Sequence, residues 1–390
     1  MYRSILRSSF LSIFLSVFCG LAVADHASGI NEDLPAGGDY RIGGITVLDT
    51  SNTQAVQVGP YAGASAPYST MVGYRAGELA TGSNNVFLGN VAGAYNTGSA
   101  NIAIGYWSGN VNTGSNNTFV GNSTGLRNTT GGLNVFLGTN SGYNNTTGSY
   151  NMFLGGFSGN TNTTGQRLVF IGFGAGYGNV SGVDNVGLGY NAARKNTVGT
   201  YNVSVGTNAG YSEQTGSRNV SIGTAAGYTA NGQSGNTNIG TQAGLYNNGS
   251  YNVFIGDGAD AIPATAASSI ALGYRAKVTG NHQMVVGGND ANGYISTIYL
   301  GRGVSSATPQ EVTLQATSAS TGNVNGANLV LKGGVKSGTG TNGVVKVEGE
   351  LQANVVTITG GADLCEMFQV TPAAGNADMR ALLLKSGAAE

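Results

Sequence analysis

Between residues 52 and 287 the chain alternates short apolar triplets with longer polar, glycine-rich stretches, and each triplet ends on a glycine. The stretches NNVFLGNVAG, ANIAIGYWSG, NNTFVGNSTG and LNVFLGTNSG, all lying between residues 84 and 142, are edited copies of one unit. With the glycine after the triplet as position 0, the anchors are Gly59, Gly73, Gly89, Gly105, Gly121, Gly138, Gly155, Gly172, Gly189, Gly206, Gly223, Gly240, Gly256, Gly273 and Gly287. Successive steps are 14, 16, 16, 16, then seven of 17, then 16, 17 and 14 residues. A fixed short period of this kind is the mark of stacked repeats, each contacting only its neighbours.

Positions −3 and −1 are apolar in nearly every unit, as in Val86/Leu88, Ile102/Ile104, Val135/Leu137, Met152/Leu154 and Val169/Ile171. Two residues apart, they share one face of a strand, and that face is expected to line the core. The small residues at +3 and +4 (Ala92-Gly93, Ser108-Gly109, Ala209-Gly210, Ala226-Gly227) suit a second short strand packed against the first. A unit of 16 or 17 residues has no room for strand, helix and return. The expectation is an all-β chain: a single-stranded parallel β-roll or β-solenoid of about 15 coils, then a small β-rich C-terminal region. At the usual strand spacing the rod would run roughly 70 Å.

Turn chemistry recurs with the same period. Thr stands at −8 (Thr81, Thr97, Thr113, Thr130, Thr147, Thr164, Thr215), usually before Gly, and Asn at −4 (Asn85, Asn101, Asn117, Asn134, Asn151, Asn185, Asn202, Asn219, Asn236, Asn252). Gly and Asn tolerate left-handed turn geometry, and stacked Asn side chains can hydrogen-bond along a column. Position −2 is expected to point away from the coil's own core. It holds Phe87, Phe119, Phe136, Phe153, Phe170 and Phe254, an apolar stripe that implies a homo-oligomer with these rings at its interface.

Composition narrows the function. Charged residues are 9% of the chain and Gly 67 of 390, so no basic stripe for nucleic acid exists. The chain opens with Arg3 and Arg7, an apolar run over residues 10–17 and Ala22-Val23-Ala24, the pattern of a secretory signal peptide over residues 1–24. Its removal takes two of the 17 basic residues and no acidic one, changing the net charge from −1 to −3. No later stretch approaches the ~20 apolar residues of a membrane-spanning helix. Cys365 is the one cysteine left after cleavage, which rules out an internal disulfide framework.

Units of the form NxxIGxxAG resemble the heads of trimeric autotransporter adhesins, whose coils have about fourteen residues. The 16–17-residue version, as in TTGSYNMFLG and TGSRNVSIGTAAG, is similar to repeats of bacterial surface fibres and tail-fibre-like proteins. That resemblance implies a left-handed parallel β-roll assembled as a parallel homotrimer. Residues 294–349 resemble a β-rich module of tail-fibre-like proteins, and VTITGGADLCEMFQV a short motif that often follows it, usually with Ala where Cys365 stands. The chain ends at Glu390 without a membrane β-barrel, a heptad stalk or an endosialidase-type chaperone domain, departing from both families; a truncated or freely secreted form is expected. The organisation is then residues 1–24 signal peptide, 25–51 N-terminal segment, 52–287 repeat head, 288–349 β-rich module and 350–390 C-terminal segment.

Catalytic machinery is absent from the inventory. From Ala80 to Gly165 the one charged residue is Arg127, which leaves no carboxylate pair for acid–base work. No catalytic, cofactor-binding or metal-binding residue is nominated. GFGAGYG (172–178) lacks the strand–helix context of a dinucleotide fingerprint. GDGADA (256–261) and NDAN (289–292) read as solvated turns rather than calcium loops, and His282 as an exposed turn residue. The sequence points to a non-catalytic, secreted or cell-surface, adhesin-like fibre that binds itself and a host, matrix or glycan surface. The alternatives are a structural tail-fibre-like filament and an ice-binding solenoid built on the Thr column.

Overall fold

A computed structural model describes strand backbone at residues 39–42 and 45–49, and residues 55–63, 66–229 and 232–288 in full. The signal peptide, the β-rich module, the C-terminal segment and Cys365 lie outside the described residues. A hairpin of β1 (Asp39–Ile42) and β2 (Ile45–Asp49) precedes the coils and pairs antiparallel with the first of them at Asp49↔Gln57. Fifteen three-residue strands follow, from Val56–Val58 to Met284–Val286, each parallel to the next and each made of positions −3, −2 and −1. No described residue is helical. The parallel β-solenoid is therefore built at the period the glycines mark.

Each coil contains one strand, not two. The +3/+4 pairs lie in a turn that hydrogen-bonds to the equivalent turn of the next coil, as in Gly142 N–H to Ser158 O (2.9 Å) and Asn144 N–H to Asn160 O (3.0 Å). A second parallel pair forms near the end of the described coils, between Asp260–Ala261 and Lys277–Val278. Elsewhere the +4 glycine at φ near +57, as at Gly142 and Gly159, turns the chain too sharply to continue a pleated strand.

The strand faces are the reverse of the expectation. Phe87, Phe119, Phe136, Phe153, Phe170 and Phe254 are fully buried inside the single chain, so they form the coil's own core and not an intersubunit face. Phe119, Phe136, Phe153 and Phe170 stack ring on ring, with centroids 5.3, 4.7 and 5.4 Å apart. The physical reason lies opposite the strand. A Cβ at Gly142 would fall 2.4 Å from the Phe136 ring, and one at Gly159 would fall 2.5 Å from Phe153. The +4 glycines thus leave the interior wide enough for a phenyl group, and one inward residue per strand fills it.

Two buried asparagine columns bolt the coils together. In the −4 column, each Asn Oδ1 accepts the backbone N–H of the next coil's −4 residue at 2.8–3.0 Å. Its Nδ2 donates to a turn carbonyl of that same next coil at 2.7–3.0 Å. Leu168 interrupts this column: it donates its N–H to Asn151 but has no amide to pass on. A second column, at +7, was not singled out from sequence. There Asn128, Asn145, Asn162 and Asn179 each donate Nδ2 to the Oδ1 of the preceding member, from Asn112 onward, at 2.5–2.7 Å. Buried amides so paired lose little on leaving water, and any broken link strands a buried donor or acceptor.

Candidate functional site

With −2 turned inward, the apolar residues at −3 and −1 face out. Val86, Leu88, Ile102, Met152, Ile171, Ile222 and Ile255 are each between 37% and 44% exposed, which makes the strand side an apolar ribbon along the rod. It belongs to a sheet whose strands pair in perfect register: Val135 lies beside Met152, Leu137 beside Leu154, and Met152 beside Val169. Apolar side chains aligned this way run in continuous rows from coil to coil, not as scattered exposed residues. Such a contiguous patch marks an interaction surface.

Turns make up most of the rest of each coil. Exposed aromatics there include Tyr106 and Trp107, stacked at 5.7 Å, and Phe173 and Tyr190, at 5.8 Å. Arg194 lies over the Tyr177 ring at 4.8 Å and Lys195 over Tyr211 at 5.1 Å. At position −5, Arg167 grips Asp184 of the next coil with two hydrogen bonds of 2.6 and 2.8 Å. That pair draws Asp184 below the ordinary carboxylate range through its hydrogen bond to Arg167. The extra residue of the 17-residue coils sits just after +7. Where it is Thr129, Thr146, Thr163 or Thr197, its hydroxyl donates to a carbonyl of the next coil at 2.8–3.0 Å.

The motifs weighed from sequence find structural places. Gly176 of GFGAGYG lies under Phe170, where a Cβ would fall 2.3 Å from the ring. Asp260 of GDGADA is buried rather than solvated: it accepts from Ala261 N–H (2.9 Å) and Tyr246 N–H (3.2 Å) and faces Lys277 Nζ at 3.8 Å. Burial raises its carboxyl, opposed by those hydrogen bonds and by Lys277. It closes one wall of a shallow cleft of about 290 Å³, also lined by Gln242, Tyr246 and Arg275. His282 sits exposed in a turn at φ +58. Among the described residues, no three His, Cys, Asp or Glu side chains come together as a metal site.

The chain is similar to the collagen-binding domain of the Yersinia adhesin YadA. The two are 16% identical, over 59% of this chain and 79% of that one, with a TM-score of 0.19. No family model matches the chain, and no curated protein does. Among the described residues, no helix is long and apolar enough to cross a membrane.

One ionisable group stands apart from this surface chemistry. Glu213 occupies the +7 column where the preceding members, from Asn112 to Asn196, are Asn, and it is fully buried. Burial pushes its carboxyl from 4.5 up to about 8, and a hydrogen bond from the Ser221 hydroxyl opposes the rise only in part. A folded value above the unfolded one favours the protonated rod, so this contribution is complete below the ordinary value of 4.5. It is lost as pH climbs through about 8. The full difference is roughly 5 kcal/mol per chain. Thermal melts in a buffer without small metal cations should therefore fall with rising pH across this window. Glu213→Gln should flatten that fall, and an unchanged pH slope in the variant would assign the effect elsewhere.

Proposed function

We propose that the protein is a non-catalytic, secreted or cell-surface fibre, adhesin-like, that assembles as a homotrimer and binds a host, matrix or glycan surface multivalently. The observation that carries this reading is the outward apolar ribbon at −3 and −1 on a coil whose interior is already filled. Full burial of a Val, Leu or Ile side chain contributes ~1.5–3 kcal/mol, and the ribbon offers two such positions per coil. Copies that turn their strand sides toward a common axis bury the ribbon and leave the turn sides in water. The count of three rests on the resemblance of the repeat to trimeric adhesin heads. Signal-peptide chemistry at residues 1–24 supports export, and the scarcity of charge supports binding over catalysis.

Multiple copies on one rod raise the effective concentration of each weak contact, so avidity needs no single strong site. Ser181, Val198, Gly232 and Asn248 interrupt the −8 threonine column, and Thr113 within it spends its hydroxyl on the Thr129 carbonyl at 2.8 Å, which weighs against ice binding.

The test is a charge on the ribbon. Leu137→Glu with Leu154→Glu should convert the wild-type oligomer into single chains that keep their β-sheet circular dichroism. Binding to matrix- or glycan-coated surfaces should drop at least tenfold through lost avidity. A variant that sediments with wild-type stoichiometry would place the oligomer interface on another face. A wild type that binds no cell, matrix or glycan surface but reshapes ice crystals would select the ice-binding alternative.

A further inference from the structure

The coil interior changes character between Phe170 and Phe254. In the four intervening coils position −2 holds Gly187, Ser204, Ser221 and Asn238, and the latter three are buried polar side chains. Over the same stretch the +7 column reaches Asn196 and then Glu213. The Glu213 carboxyl lies between the hydroxyls of two successive coils. A point at the Cβ position of Gly210 is 2.2 Å from Ser204 Oγ and 3.1 Å from Glu213 Oε2. The corresponding point at Gly227 is 2.3 Å from Ser221 Oγ and 3.3 Å from Glu213 Oε1.

Several oxygens here lack the donors that the rest of the rod supplies. Glu213 Oε2, Ser204 Oγ and Asn196 Oδ1 are buried and make no hydrogen bond within the chain. Asn196 Oδ1 shares this condition with Asn179 Oδ1 one coil earlier, where the column's Nδ2-to-Oδ1 chain ends, and the coil after Asn196 presents Glu213 at the same position. The section therefore gathers oxygen acceptors, one of them a carboxylate, and no Lys or Arg contributes to its electrostatics. A carboxylate so far from water needs a proton or a cation beside it.

We propose that this section of the rod is a binding site for one monovalent metal cation, sodium or potassium, held by the Glu213 carboxylate and the Ser204 and Ser221 hydroxyls. Oxygen-only ligands suit a hard cation, and a single negative charge balances one positive charge without excess. The cation and the carboxyl proton compete for the same oxygens, so occupancy rises as the proton leaves.

The test is the melting temperature of the full chain in sodium, potassium or choline chloride at equal ionic strength, choline being too large for a coil interior. Above the raised carboxyl value of about 8, sodium or potassium should lift the midpoint by several degrees over choline. In acid, where the proton occupies the site, the three salts should give one midpoint. Glu213→Gln should give one midpoint at every pH. Equal wild-type midpoints in all three salts at high pH would overturn the site, leaving a buried neutral acid. A salt preference that persists in Glu213→Gln would overturn it too, by placing the ion effect elsewhere.

Discussion

Changing Phe136 and Phe153 together to Ser is expected to unfold the middle of the rod, not to separate one copy from another. Both rings are fully buried within a single chain and stack at 4.7 Å. Truncating a core Phe to Ala costs ~3–5 kcal/mol, so the pair removes roughly 6–10 kcal/mol, comparable to the whole stability of many domains. The chain does carry serines at this position, Ser204 and Ser221, but there the Glu213 side chain reaches in beside them. At Phe136 and Phe153 the corresponding +7 residues, Asn145 and Asn162, are tied into their column and cannot fill the space. Because coils interact only with neighbours, the loss should appear as local opening around residues 130–160 at reduced temperature, readable by hydrogen exchange. A variant that dissociates into single chains with unaltered exchange protection would place these rings at an interface after all.

This outcome bears on what the sequence discloses. The spacing of apolar triplets located all fifteen triplet strands of the rod, because a period of 16–17 residues with an obligatory glycine leaves little freedom for alternatives. Alternation along a strand says which residues share a side, however, and not which side is inside. Val135 and Leu137 flank Phe136, so either assignment puts apolar groups on both faces. The deciding sign lay across the coil. Every coil from Gly59 to Gly240 has Gly at +4 except one, where Ala193 stands there, and that coil alone has Gly187 at −2. A larger residue on one wall with a smaller one on the opposite wall is what a filled interior requires. The −4 Asn column was visible because it abuts the strand. The +7 column was obscured because the 17-residue coils add their extra residue beside it. Glu213 was hidden for another reason: a lone acidic residue in a polar turn reads as solvated until the coil closes over it.

The anchor glycines carry the steepest expected effect of any single substitution, and the effect should depend on position along the rod. Gly155 sits at φ +127, a conformation that side chains rarely adopt, and a Cβ there would fall 2.6 Å from the Gly172 carbonyl oxygen. The obstacle is backbone, so it cannot rotate away; the two coils would have to part, and with them the strand pairing of Met152↔Val169 and the asparagine bond from Leu168 N–H to Asn151. Backbone strain of this type costs ~1–3 kcal/mol before any steric overlap is counted. Gly155→Ala should therefore lose more than that strain alone. Gly273 provides the internal comparison: its φ of +120 is similarly strained, but a Cβ would meet its nearest neighbour, in the Gly287 backbone, at 3.3 Å. Gly273→Ala should then show the strain without most of the overlap, and be the milder variant by urea denaturation. Equal losses at the two sites would mean that strain alone sets the cost. A smaller loss at Gly155 would contradict the close stacking of coil on coil that holds the rod together.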